Sequence, residues 1–412
     1  MTRRAVLLLS SPASYRLAVF REAAKRAGYV PISGIIGPPS PIPNSSTTVH
    51  FAPNTPAASL ALLEALSAEW DEVRVLAVDD TAVELAALLA SHINQPVNAP
   101  WAASASRNKI EMRTRFAAAN LPGPQWVPIT PGDGTPAPLS FPVVVKPAML
   151  NGSRGVIRAN TAEEYAVACA RLDRILHDEG FDSSEPVALC ESFIPGFELA
   201  LEGLMTDGEL TVLALFDKPD PLDGPFFEET LYVTPSRLST AEQTAISAQV
   251  ARMAAALDIW HGPVHAEVRI NDEGVWPIEI AARSIGGMCS TVLEFGTGMH
   301  LEDLILHNLF GDHAPGEKRS SAAVGAMMIP IPRSGMLRGV NGLEEAKAVP
   351  NITGIEITAP LNNPIRTLPE GESYLGFIFA SGNSPAIVET ALRAAHGHLT
   401  FEIAPMLRLA PS

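Results

Sequence analysis

Cysteine is scarce in this chain: three residues in 412, Cys169, Cys190 and Cys289, far apart and without paired spacing. That excludes a disulfide framework and a cysteine-bound zinc site, and it suits a reducing cytoplasm. Positive charge is also short, with 29 Lys and Arg against 45 Asp and Glu and a net charge of −16. No basic stripe is available to neutralise a polyphosphate backbone, so nucleic acid is excluded as a partner, while small phosphorylated ligands held locally are not. No apolar run approaches the length that spans a bilayer, so no membrane partner is expected. The opening residues, MTRRAVLLLSSPA, hold an apolar run from Ala5 to Leu9 only, too short for the core of a signal peptide. It reads better as a first strand. No GxGxxG follows that strand, which argues against a dinucleotide site. A Ser/His/Asp or Cys/His set for nucleophilic catalysis is also missing.

What is present is ample apolar material, 47% of residues, in a length that suits two or three domains. Residues 4–100 alternate strands and helices. Ala5–Leu9 and Tyr29–Ile36 read as strands around a helix Tyr15–Ala27, and a proline-rich loop (38–56) precedes another helix. Val73–Val78 then forms a strand that ends in Asp79 and Asp80, followed by a helix Thr81–His92. This is an open α/β sheet, in which ligands sit beyond the carboxyl ends of strands. The zone 101–310 mixes short strands and helices. The last, about 320–412, holds strands separated by Pro, Gly and Asn, then a helix Ser384–His396 and a terminal strand.

The most informative segment runs from His265 to Arg283 and reads as strand, turn, strand. His265, Glu267 and Arg269 share one face of the first strand; Pro277, Glu279, Ala281 and Arg283 share one face of the second. A hairpin centred on Glu273 puts Glu267 directly opposite Glu279, where like charges repel. A hard divalent cation held by carboxylate oxygens would compensate, and Arg283 would then suit a phosphate or carboxylate. The alternative is a pair of solvated glutamates on an exposed sheet face.

Phe141 to Pro147 is a buried-type strand that ends in Lys146 and runs into a loop containing Gly152, Ser153 and Gly155. Its backbone donors suit phosphate oxygens, although an ordinary hairpin loop beside a surface lysine has the same composition. In the next strand, Glu191, Phe193 and Ile194 would form an edge able to pair with adenine, and Glu198 would accept from ribose hydroxyls. A plain strand with a Pro-Gly turn remains the alternative there.

The ordered set of Lys109, Lys146 with its Gly-Ser loop, the Glu191–Glu198 segment and the Glu267/Glu279/Arg283 hairpin strongly resembles the ATP-grasp superfamily across essentially the whole chain. Three further segments resemble the L-amino acid ligases, which are dipeptide-forming carboxylate–amine ligases: 216–229, Glu279 to Gly287, and Tyr374 to Gly382 with its following helix. The resemblance implies a mixed α/β and α+β chain with an ATP-grasp fold. It would comprise an N-terminal open α/β domain (1–100), an ATP-grasp domain (101–318, with a lid at about 141–205) and a small C-terminal α+β domain (319–412). It assigns Lys109 and Lys146 to the phosphates of ATP, 151–155 to the mobile lid, Glu191, Phe193 and Ile194 to adenine and Glu198 to ribose. Glu267 and Glu279 become Mg2+ ligands, and Arg283 steadies the transferred phosphate. Ala281 stands where many ATP-grasp enzymes place a further metal-binding Asn, a feature shared with the amino acid ligases. A homodimer is implied at family level only.

Weaker expectations attach to other residues. His261 and His265 have the spacing of a metal pair on one strand face, but no third ligand is evident. Glu228 and Glu229 would wall a substrate site or remain exposed loop acids, and Lys218 would reach a phosphate or stay on the surface. Asp80 would contact substrate, although an N-cap is the default for Asp79 and Asp80. Gly287 leaves room for substrate, while Trp101, Met327 and Met328 read as core. The expected chemistry is activation of a carboxylate by ATP and Mg2+, then attack by an amine, with small molecules as substrates. A bicarbonate-activating carboxylase related to biotin carboxylase would use the same residues. A nucleotide-binding protein without turnover would not need Arg283.

Overall fold

The computed structural model describes residues 3–406 apart from 13, 15, 38–44, 46, 53–54, 182–185, 297, 313–319, 321 and 372. Near the N-terminus, four parallel strands lie in the order Thr48–Phe51, Val30–Ile36, Arg4–Ser10, Glu72–Ala77. Val6, Leu7, Leu8 and Leu9 are all buried because helices cover both faces of a parallel sheet. Thr48–Phe51 falls within the stretch expected to be a proline-rich loop; its alternating Val49 and Phe51 are buried, and that burial makes it an edge strand. The prolines that suggested a loop fall largely in 38–44 and 53–54, outside the described residues. The helices Arg16–Arg26 and Val83–His92 follow the expected positions; Tyr15, the expected first residue, is not described.

A second sheet of four antiparallel strands runs Trp126–Ile129, Ala188–Ser192, Val143–Pro147, Ile157–Ala159. The helix Ala162–Asp178, capped by the Thr161 side chain, covers it through Tyr165, Ala168 and Leu172. The loop 148–156 joins its last two strands in space and projects over the third layer of the molecule.

That third layer is an eight-stranded antiparallel sheet. Its first five strands in spatial order are Gly274–Ala281, Gly262–Asn271, Phe197–Thr206, Glu209–Asp217 and Leu231–Thr234. It then continues through Ala323–Ile329, Gly376–Gly382 and Ile352–Ile357. Three C-terminal strands therefore extend the central sheet, while Pro364–Ile365, Gly335–Asn341 and Thr400–Ala404 form a separate three-stranded sheet; the expected boundary at 318/319 lies outside the described residues. One apolar cluster links all three parts of the chain: Leu8 and Phe20, then Phe216 and Tyr232, then Phe310 and Phe377. No helix among the described residues is long and apolar enough to cross a membrane.

The His265–Arg283 hairpin closes more tightly than expected. Asn271 pairs with Gly274, so the turn centres between Asp272 and Glu273, and a uniform ladder would set Glu267 against Ile278. A bulge between Glu267 and Val268 in the register leaves Ile278 as the extra residue and restores Glu267 opposite Glu279. The expected pair forms by a route that strict alternation does not predict.

Phe216 is fully buried and meets the Tyr232 ring edge-on at 5.6 Å between centroids. Phe216→Ala should lower stability by about 3–5 kcal/mol, read by urea unfolding; a loss below about 1 kcal/mol would show that the three parts do not share this core.

Candidate active site

The carboxyl ends of the N-terminal strands, the loop 148–156 and the central sheet enclose a cavity of about 530 Å³. Lys109, Lys146, Ser153, Glu191, Phe193, Ile194 and Glu198 all line it, as do Glu229, His265, Glu267, Glu279, Arg283, Asp80 and Gly287. Residues scattered over more than two hundred positions thus converge on one space.

Lys109 opens the helix Lys109–Ala118, whose N-terminus is capped by the Asn108 side chain. Its ammonium donates to the Leu150 carbonyl at 2.9 Å and stands 3.6 Å from Glu279. It therefore ties the loop to the hairpin. Lys146, at the end of its strand, is buried 2.6 Å from Glu191, whose other oxygen takes Arg113 at 2.7 Å. Burial disfavours ionisation of both partners, but unequally. Glu191 has two cations and is held down to about 2. Lys146 has one anion and feels Arg113 and Lys109 as well, so it is lowered to about 8.

Around the hairpin, the repulsion between Glu267 and Glu279 is answered by the chain's own cations. Lys218 sits 2.9 Å from Glu198 and 3.0 Å from Glu267, and also pairs with Glu229. These three carboxylates present oxygens within 4.8 Å of one another. Burial opposes ionisation of Glu267, yet Lys218 and then His265 hold its carboxyl well below the usual range. Burial and the Glu267 charge push Glu229 up. His265 contacts Glu202 at 2.6 Å and Glu267 at 3.4 Å; against burial, these carboxylates raise it to about 9. Arg283 donates to Asp80 at 2.8 Å and to the Ser284 carbonyl at 3.0 Å.

Several expectations need correction. Lys218 is neither on the surface nor among the cavity-lining residues; it is locked behind Glu198, Glu229 and Glu267. Gly155 does not face the cavity, since a Cβ there would meet Leu172 at 2.8 Å; with φ +73 it serves chain packing. Glu228 lies outside the cavity, with burial raising its carboxyl pKa. Glu191 is on an interior strand, registered to Trp126 on one side and Val144 on the other, so it forms no edge. Phe193 N–H already donates to the Pro142 carbonyl at 3.0 Å, and the Ile194 carbonyl accepts from Arg269 at 2.6 Å. Neither Asp79 nor Asp80 is an N-cap by side chain: Asp79 accepts from Ser11 and Thr81, and Asp80 holds Arg283. Trp101 is 43% exposed beneath the Arg115 guanidinium. Met327 is core, whereas Met328 is buried and lines the cavity as well. His261 faces Asp207 at 3.9 Å, and no group of three metal-ligating side chains among the described residues includes it or His265.

Sequence reasoning missed Arg113 and Glu202, and placed Arg269 on the face of Glu267 without giving it a role. Arg113 lies one helical turn beyond Lys109, on the same face. Glu198 and Glu202 sit on one face of the otherwise apolar strand Phe197–Thr206, and buried acids of that kind require cationic partners. Arg269 supplies one at 2.8 Å from Glu198. Thr358, Ser373, Tyr374 and Phe377 reach the cavity from the C-terminal part; the last two fall in the segment Tyr374 to Gly382 that carries the resemblance, whereas no sequence spacing singles out Thr358 or Ser373.

The fold and these side chains define a class. Residues 139–292 match the model of the ATP-grasp domain, and residues 327–404 match that of the L-amino acid ligase C-terminal domain 2. The chain thus carries an ATP-grasp domain and, towards its C-terminus, a domain of the L-amino acid ligase type.

An uncharacterized protein y4rH of Sinorhizobium fredii is 25% identical over 76% of this chain and 65% of its own length. Dapdiamide A synthase of Enterobacter agglomerans is 30% identical over 37% of this chain and 36% of its own. The matches thus span less than two thirds of these curated relatives. The crystal structure of an L-amino acid ligase from Bacillus licheniformis is similar with a TM-score of 0.81 at 25% identity, covering 98% of this chain and 100% of that one. An ATP complex of carboxyaminoimidazole ribonucleotide synthase from Aspergillus clavatus shares the fold, with a TM-score of 0.70 at 16% identity over 96% of this chain and 97% of that one.

Because Glu191 ionises near 2 in the folded chain and near 4.5 when free, its contribution to stability is complete above about 4.5 and lost as pH falls toward 2. Glu191→Gln should flatten that window. At neutral pH it should cost about 3–5 kcal/mol by stranding Arg113 and Lys146. Unfolding curves against pH check both; an unchanged acid limb would contradict the pairing.

Proposed function

We propose that this chain is an ATP-dependent ligase that joins an amino acid, through its carboxylate, to a second amino acid or related amine. The observation that carries this reading is the convergence on one cavity of Lys109, Lys146, Glu267, Glu279 and Arg283 beside the loop 151–155. Lys109, Lys146 and the loop donors would hold the triphosphate. Phe193, Ile194 and Glu198 would surround the nucleoside. Glu267 and Glu279 are opposed oxygen donors on a rigid hairpin, a set that suits magnesium, with Lys218, His265 and Lys109 balancing their charge without it. Bound magnesium would neutralise charge developing on the β- and γ-phosphates.

In the first step a substrate carboxylate oxygen bonds to the γ-phosphorus, the bond to the β,γ-bridging oxygen breaks, and ADP leaves. Arg283, oriented by Asp80, would steady the acyl phosphate so formed. In the second step the amine nitrogen bonds to the acyl carbon, the carbon–oxygen bond to phosphate breaks, and phosphate departs. Glu229, the one of the two adjacent acids that lines the cavity, would take the proton released by the amine. Tyr232, Met328, Tyr374 and Phe377 give the far wall an apolar character that bicarbonate would not use and an amino acid side chain would. The domain division at 100 and 318, a homodimeric assembly and a cytoplasmic location belong to the same proposal.

The test is phosphate release with ATP and magnesium across pairs of amino acids, with bicarbonate as a separate arm. Release that needs two amino acids and yields a condensed product by mass is expected. Glu279→Ala should cut it by at least about 100-fold while the fold persists. Release driven by bicarbonate alone would overturn the reading.

A Cβ at Gly287, φ +62, would meet the Phe377 ring at 3.0 Å. Gly287→Ala should therefore lower kcat/KM for large side chains by about tenfold more than for alanine as substrate. An equal loss for both would show that this wall does not select the side chain.

A further inference from the structure

The loop 151–155 is fastened from the C-terminal part of the chain. Gly155 N–H donates to the Pro369 carbonyl at 2.9 Å, and Arg154 Nε donates to the Glu370 carbonyl at 3.0 Å. Arg171, on the helix that covers the loop's own sheet, grips both carboxylate oxygens of Glu370 at 2.5 and 2.7 Å. Such two-pronged pairing fixes orientation as well as distance. The Arg171 guanidinium also stacks 4.9 Å from the Phe226 ring, which limits its freedom.

The turn that carries Glu370 is itself rigid. Gly371 N–H donates back to the Thr367 carbonyl at 2.8 Å, and a Cβ at Gly371 would meet the Arg366 carbonyl at 2.0 Å. Thr367 N–H is anchored to the Ser334 hydroxyl at 3.0 Å. The same segment continues into Ser373 and Tyr374, which line the cavity, while Asn151, Gly152 and Ser153 line it from the loop. The turn thus stands between the phosphate loop and the wall expected to meet substrate.

We propose that Glu370 is a positioning residue for the phosphate loop: it docks the loop's sheet and helix onto the C-terminal turn and so links closure over nucleotide to seating of the Ser373–Tyr374 wall. This rests on reading the cavity as an ATP site. With the turn seated, loop donors are set for the triphosphate and water is kept from the acyl phosphate. With the pair broken, the loop opens more often, and ATP is consumed without ligation.

The experiment uses the full-length chain with Glu370→Gln, Arg171→Gln and the charge-swapped pair Arg171→Glu/Glu370→Arg. Hydrogen exchange of the peptide covering 151–156 is followed with and without adenylyl imidodiphosphate and magnesium. Each single variant should speed exchange there by about tenfold, and the swapped pair should restore much of the protection. In turnover, the KM for ATP should rise several-fold, and phosphate released per product should increase, with kcat for phosphate release little changed. Unchanged exchange in both single variants, or a parallel loss of kcat with no change in coupling, would overturn the proposal. If exchange responds as expected but no amino acid pair is joined, the docking stands and the ligase reading fails.

Discussion

Charge in a low-dielectric interior has to be matched, and the centre of this molecule is organised around that requirement. Glu191 takes Lys146 and Arg113; Glu198 takes Arg269 and Lys218; Glu202 takes His265; Asp80 takes Arg283. In most of these pairs the two partners come from different strands or helices. The N-terminal sheet reaches the hairpin through Asp80, and the helix Lys109–Ala118 reaches two sheets through Lys109 and Arg113. Removing one partner would strand the other, so each pair fixes a geometry more than it adds stability.

That arrangement would also suit a highly charged ligand. Lys109, Lys146 and Arg283 already face the cavity, each held by a carboxylate or a carbonyl. A triphosphate would meet donors oriented before it arrives, which is the condition under which electrostatic stabilisation costs least reorganisation. Glu267 is kept ionised, and Glu279 is held opposite it, by the same network. A magnesium ion would share their charge with Lys218, His265 and Lys109 and would find the ligands in place.

Much of this was legible in the residues, and the failures have physical causes. The Glu267/Glu279 pair could be read because strand periodicity and turn residues are local signals. The bulge at Ile278 could not, since it reflects how the ladder adapts to the tight turn. The lysine-and-glycine loop was recognised, but Gly155 was misassigned: glycine is demanded there by Leu172, a contact across the fold. Lys218 looked like a phosphate ligand because three acids distant in sequence, Glu198, Glu229 and Glu267, are what surround it. Trp101 reads as core because a large apolar ring is usually buried; here the Arg115 guanidinium covers an exposed one. The C-terminal wall was legible only as the resemblance carried by Tyr374 to Gly382; Thr358 and Ser373 carry no spacing that places them at the cavity.

The measurement that tests the account most directly follows the fate of a carboxylate oxygen. An amino acid labelled with heavy oxygen in its carboxylate is supplied with ATP, magnesium and an amine partner, and the released phosphate is examined by mass. Activation as an acyl phosphate requires one labelled oxygen to leave with phosphate as product forms. Unlabelled phosphate released alongside product would mean that the carboxylate never bonded to phosphorus, and would contradict the assignment of this cavity.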